Sequence, residues 1–145
     1  MFARKVSLKT SYCIRLARGE EVMASLKDFC KRENIVSGSF RAIGAVEKAN
    51  VGYFDRTTRE YGSVVYPDVM EVASLIGNVA LVEGEPFIHA HVVLTKAVQG
   101  MENQAWGGHL FDATVAVTLE IYLDSFTESV ERVMDESIGL KLLAL

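Results

Sequence analysis

This chain of 145 residues predicts an α+β domain: an antiparallel-rich central β-sheet flanked by helix. Three observations carry that expectation. Residues 20–33 repeat apolar side chains at helical spacing, and no other stretch does so. Six or more other segments alternate or run apolar over strand-like lengths. The turn residues between 81 and 87 are few enough that the flanking strands form a hairpin, which is antiparallel by construction.

Taken in order, residues 12–16 read as a short strand, closed by Gly19. In residues 20–33, Val22, Leu26, Phe29 and Cys30 stand at i, i+4, i+7 and i+8 and make one apolar face. Glu20, Glu21, Lys27, Asp28, Lys31 and Arg32 occupy the remainder as a solvated face, acidic at the start and basic at the end as the helix dipole favours. After Asn34 the character turns to strand: in residues 37–45, Phe40, Ala42 and Gly44 alternate with Arg41, Ile43 and Ala45. A turn at Glu47-Lys48 leads to a second strand over residues 49–54. Residues 57–62 are polar and turn-like, and Val64-Val65-Tyr66 precedes a further turn at Pro67-Asp68. Residues 69–81 form a long apolar strand in which Gly77 marks a bulge or a close backbone approach. Glu83-Gly84-Glu85-Pro86 then turns the chain into a strand over residues 87–96. Residues 100–108 read as a loop. The most regular strand is 112–123, with Val115, Val117, Leu119, Ile121 and Leu123 facing one way and Thr114, Thr118, Glu120 and Tyr122 the other. Residues 130–134 add a short edge strand. No repeat, low-complexity tract or linker interrupts this order, so residues 1–145 read as one domain.

Composition narrows the function classes. Half the residues are hydrophobic and 23% are charged. That balance suits a globular chain long enough to bury a core. The net charge of −4 runs against the basic excess that phosphate neutralisation requires, so bare nucleic acid is not an expected partner. Cys13 and Cys30 lack CxxC spacing and read as reduced thiols of a cytoplasmic protein. The first ten residues have no apolar run behind their basic ones, unlike a signal peptide. No segment approaches the roughly 18 apolar residues of a membrane span.

All three histidines lie between residues 89 and 109: His89-Ala90-His91, then Trp106-Gly107-Gly108-His109. On an extended strand, i and i+2 point to one face with Cα atoms roughly 6.5 Å apart, close enough to converge on an ion. A third histidine, brought in by a glycine-rich turn, would complete a set that leaves zinc an open fourth position. HxH pairs also occur without ions, and Gly107-Gly108 also reads as a plain turn. On the 87–96 strand, Ile88, Ala90, Val92 and Leu94 take one face, while Phe87, His89, His91, Val93 and Thr95 share the other. An unsatisfied imidazole buried there would cost about 1–3 kcal/mol. Asp68, Asp112 and Glu120 are candidates for a fourth ligand or a supporting carboxylate, and otherwise ordinary turn or surface residues. Trp106 reads as core, pocket wall or subunit contact. Arg41, in a glycine-flanked strand, is either an anion contact or an exposed strand arginine. HExxH, HxE with PCxxC, GxSxG and glycine-rich phosphate loops are all missing.

Taken together, Gly38-Ser39-Phe40 with Gly44-Ala45-Val46, Tyr53-Phe54-Asp55, Glu71-Val72-Ala73-Ser74-Leu75-Ile76-Gly77-Asn78, His89-Ala90-His91-Val92-Val93-Leu94, Gly107-Gly108-His109-Leu110 and Glu120-Ile121 resemble the plants-and-prokaryotes-conserved (PPC) domain. The resemblance runs from about Tyr12 to Leu123, and its specificity lies in the HxH, GGHL and SLxGN pieces occurring together. It implies an α+β fold, a homotrimer, and a metal, zinc, on His89, His91 and His109. Plant members are regulators that hold A·T-rich DNA through a separate AT-hook of Arg-Gly-Arg-Pro type, a segment this sequence lacks. The expectation is therefore a stand-alone, zinc-binding homotrimer whose biochemical role the resemblance leaves open, regulation among the options. The alternatives are a small zinc-dependent enzyme of hydrolase or lyase type, with Glu120 or Asp112 as general base, and a DNA-binding protein by family association.

Overall fold

Alternating apolar residues become long strands in the computed structural model, which describes residues 1–96 and 104–145. The order is β1 (Leu8–Ala17), α1 (Val22–Arg32), β2 (Gly38–Asp55), β3 (Glu60–Tyr66), β4 (Met70–Val82), β5 (Glu85–Lys96), β6 (Gln104–Phe126), β7 (Glu131–Asp135) and β8 (Leu140–Ala144). Sheet dominates more than the α+β expectation allowed. One helix of 11 residues faces eight strands among the described residues, so "flanked by helix" overstates the helical share.

The long strands close on themselves. β2 pairs with β4 and β6, β6 with β5, and β5 with β4, so these four are joined in a ring of antiparallel pairs. Val46, Leu75, Leu94, Leu110, Val115 and Leu119 are buried in its core. β1 extends the sheet along the second half of β6, and β3 along the second half of β2. The β7–β8 hairpin hangs from the end of β4 through a parallel bridge at Leu81 and Glu131.

Helix α1 packs on β5 and β6 through Val22, Leu26 and Cys30, with Phe29 partly buried beside them. Its start is fixed by Glu21, whose carboxylate accepts from Met23 N (3.1 Å) and Ala24 N (2.5 Å). The same carboxylate accepts from Ala113 N at 3.0 Å and so ties the helix to β6. Cys30 is buried, and burial pushes its thiol up to about 11, so it packs as a small hydrophobe. Both cysteines are free thiols, Cys13 exposed.

Four expectations change. Glu47-Lys48 is not a turn: β2 runs through it, with register shifts between Gly44 and Val46 and between Val46 and Lys48. Of the expected loop over residues 100–108, the stretch 104–108 is strand, and residues 100–103 lie outside the described ones. Val117 is exposed, not buried with Val115 and Leu119, because β6 spends four steps from 115 to 119 where β2 spends two. The edge strand near 130–134 is present as β7, but its partner β8 had no sequence signal. Among the described residues no helix is long and apolar enough to cross a membrane.

Candidate metal centre

β5 sends Ile88, Ala90, Val92 and Leu94 inward, which turns His89 and His91 to the opposite face. His91 stands directly across from His109 in the β5–β6 pairing. The three rings meet with centroids 5.3 Å (89–91), 4.9 Å (89–109) and 5.5 Å (91–109) apart. One ligand nitrogen from each lies within 4.8 Å of the others. Nitrogens bound to one tetrahedral zinc at about 2.0–2.1 Å sit roughly 3.4 Å apart, a spacing that lies within this 4.8 Å bound.

Two glycines let the backbones close in here. At Gly108 a Cβ would come 2.5 Å from the Gly52 carbonyl oxygen, so only glycine lets β6 crowd β2 beside His109. The third histidine is thus delivered by a glycine within a strand, not by a glycine turn. At Gly77 a Cβ would come 2.5 Å from the carbonyl oxygen of His89, which is the close approach expected there.

Arg132, from β7, is the neighbour that sequence reasoning missed. Its Nη2 lies 3.1 Å from His89 Nδ1 and 2.9 Å from Asn78 Oδ1, and its Nη1 donates to the Lys141 carbonyl at 3.0 Å. Its Nε is buried without a partner among the described residues. The guanidinium carbon lies 5.5 Å from the centre of the Phe87 ring. No local signal marked Arg132: it is one basic residue in a short polar strand, more than forty positions from His89 along the chain.

The electrostatics favour the neutral form of the His89 and His109 rings. His89 is pushed down to about 4, first by burial, then by the positive field of Arg132, His109 and His91. His109 is also lowered, first by burial, then by His91 and Arg132. Neutral imidazole is the form that coordinates a metal. The rings border a cavity of about 430 Å³ whose walls include Tyr53, Tyr61, Phe87, Leu140 and Leu142. Tyr61 and Phe111 hold the His109 ring at 5.1 and 5.0 Å.

The other sequence candidates lie elsewhere. Asp68 pairs with Lys96 at 3.0 Å, and Asp112 accepts from Asn50 Nδ2 at 3.1 Å. Glu120 is exposed and lines a separate shallow groove with Arg41 and Tyr122, where the Arg41 guanidinium rests 5.3 Å from the Tyr122 ring. None of the three carboxylates joins the histidines. Trp106 is partly buried against the core, 5.7 Å from the Tyr66 ring.

The family model of the Plants and Prokaryotes Conserved (PCC) domain matches residues 3–127. The chain belongs to this family. Among solved structures, the metal-containing protein of Archaeoglobus fulgidus is 32% identical with a TM-score of 0.91, covering 100% of both chains. The plant- and prokaryote-conserved (PPC) protein of Pyrococcus horikoshii is 35% identical with a TM-score of 0.87, over 98% of this chain and 97% of that one. A candidate DNA-binding protein of Ralstonia eutropha is 31% identical with a TM-score of 0.84, over 92% of this chain and 90% of that one. No curated protein matches. A PCC-type fold therefore carries the histidine cluster.

Proposed function

We propose that this PCC protein binds zinc through His89, His91 and His109 and uses the remaining coordination position to hold a ligand in the adjoining cavity. The observation that carries this reading is the convergence of three imidazole nitrogens within 4.8 Å on a cavity wall. An all-nitrogen set of three with one vertex open suits zinc. The metal-containing description of the Archaeoglobus fulgidus protein, which matches along its full length, supports the metal. When bound, zinc would supply a Lewis acid and an activated water or ligand position. The chain's own residues orient the site: Tyr61 and Phe111 brace the His109 ring.

Binding ranks above hydrolysis for a specific reason. Glu120 and Asp112, the expected general bases, stand away from the cluster, and among the described residues no carboxylate lines the cavity. A homotrimer is the proposed assembly, as the family resemblance implies, and a partly apolar, uncovered sheet face offers a place for a subunit contact. Ile43, Ile76 and Tyr122 supply that face, at 60%, 58% and 53% exposed. The DNA-binding reading draws support only from neighbours so described, against a net charge of −4.

Elemental analysis of purified protein tests the zinc reading. One zinc per chain is expected, with loss in His89→Ala and His91→Ala; unaltered metal content in both variants overturns it. Light scattering tests the trimer, and a mobility shift at low salt tests DNA binding.

A further inference from the structure

Arg132 stands out once the charges around the cavity are paired off. Lys141, the other cation in its wall, is bound to Glu83 at 2.9 Å. Among the described residues no carboxylate pairs with Arg132, and its buried Nε–H has no acceptor. A half-buried guanidinium normally finds an anion. Here the site offers imidazole rings, an amide and a carbonyl.

The hydrogen bond to His89 sharpens the point. A guanidinium has donors only, so Nδ1 of His89 must accept, and in the neutral ring Nε2 then carries the hydrogen. A metal taking Nδ1 displaces the arginine outright. A metal taking Nε2 moves the hydrogen to Nδ1, which turns two donors against each other. Either way, His89 cannot serve Arg132 and a metal at once. Metal binding therefore frees an Nη2 N–H on a guanidinium that already has an unpartnered Nε–H.

Resting on the zinc reading above, we infer that the cavity takes a small organic carboxylate with an apolar body, its carboxylate held by Arg132 beside the metal, so that carboxylate and zinc bind cooperatively. A planar guanidinium matches a carboxylate in shape. Among the described residues Arg132 is the single protein cation in the wall without a carboxylate partner, and the aromatic and leucine lining around it suits a monoanion with an apolar body better than a small, strongly hydrated phosphate. The aromatic and leucine walls border a half-open cavity of about 430 Å³. That space suits an apolar body about the size of a phenyl ring.

Zinc affinity, read by competition with a chromophoric chelator, tests this without any activity assay. Benzoate is expected to raise the apparent zinc affinity of the wild-type protein about fivefold or more. Benzamide, the uncharged isostere, and sulfate, a tetrahedral oxyanion, are expected to leave it unchanged. Arg132→Met keeps an apolar stem; it is expected to raise zinc affinity in the absence of benzoate, by removing the competitor for His89, and to abolish the benzoate effect. Circular dichroism and a thermal melt establish that the variant is folded. Equal enhancement by benzamide or sulfate overturns the carboxylate assignment, and the wild-type comparison stands even if the variant does not fold. A fall in zinc affinity in a folded Arg132→Met, or a retained benzoate effect, overturns the role of Arg132. Failure to bind zinc in every arm instead overturns the zinc reading itself, whereas zinc binding indifferent to benzoate overturns only this inference.

Discussion

Acidifying the metal-free protein should destabilise it through His89 in a defined window. In the unfolded chain this imidazole titrates near its ordinary value of 6.5, whereas in the folded protein it is held at about 4. Between those values the unfolded state binds a proton that the folded state does not, so stability rises with pH across the window. The contribution is therefore whole above about pH 6.5 and is lost as pH falls towards about 4. At ~1.4 kcal/mol per pH unit the gap amounts to ~3 kcal/mol at face value. Water reaches the half-buried ring and screens this, leaving about 1–2 kcal/mol. Urea unfolding of chelator-treated protein between about pH 7 and about pH 4.5, wild type against His89→Gln, isolates the term, because the titrating carboxylates are common to both. The wild type should lose about 1–2 kcal/mol more than the variant. An equal loss in the two proteins, or a His89 ring proton titrating near 6.5 by NMR, would refute the reasoning.

Four further outcomes follow from the same geometry. Saturating zinc, at ~100 times its dissociation constant, adds ~2.7 kcal/mol and should raise the melting temperature by about 5–10 °C, a shift absent in His91→Ala. Gly77→Ala drives a methyl group against Phe40 and the His89 carbonyl. Calorimetry should record a loss of about 1–3 kcal/mol, with zinc content falling alongside as β5 shifts. Leu94→Ala empties a fully buried position within the ring of strands. It should cost about 2–5 kcal/mol in urea unfolding. Glu21→Ala removes the cap of α1 and its tie to Ala113 N. The expected loss by the same measurement is about 0.5–2 kcal/mol.

What the sequence made legible was local. The apolar spacing of Val22, Leu26 and Cys30 marked the one helix, and the few residues between 81 and 87 marked the β4–β5 hairpin. Period-two alternation put His89 and His91 on one face, which only His109 had to meet. What stayed hidden was non-local or irregular. A bulge and a turn both break alternation by a residue, so Glu47-Lys48 looked like a corner and Val117 looked buried. The ring of β2, β4, β5 and β6 depends on pairings across the chain that no short window contains. Leu140–Ala144 was too short for its period to separate strand from tail. Arg132 reaches the site only because the β7–β8 hairpin bridges to β4 at Leu81.

That last residue bears on why the site is built as it is. Three imidazoles and a guanidinium, gathered on a cavity wall that holds no carboxylate among the described residues, repel whenever a ring is protonated, and they leave a buried N–H unsatisfied. An apolar residue at 132 would fill the space without that cost, since replacing buried charge by packing is often neutral or stabilising. Yet the guanidinium is held in place by Asn78, the Lys141 carbonyl and the face of Phe87. Positions that break a local rule while being supported by their surroundings are where function concentrates. A cation with an open vertex and an anion on Arg132 would relieve the site together: the rings gain a metal, and the guanidinium gains an acceptor in place of His89. Neither alone does so, because an anion without the metal still finds Arg132 bound to His89, and a metal without the anion leaves Arg132 with one partner fewer.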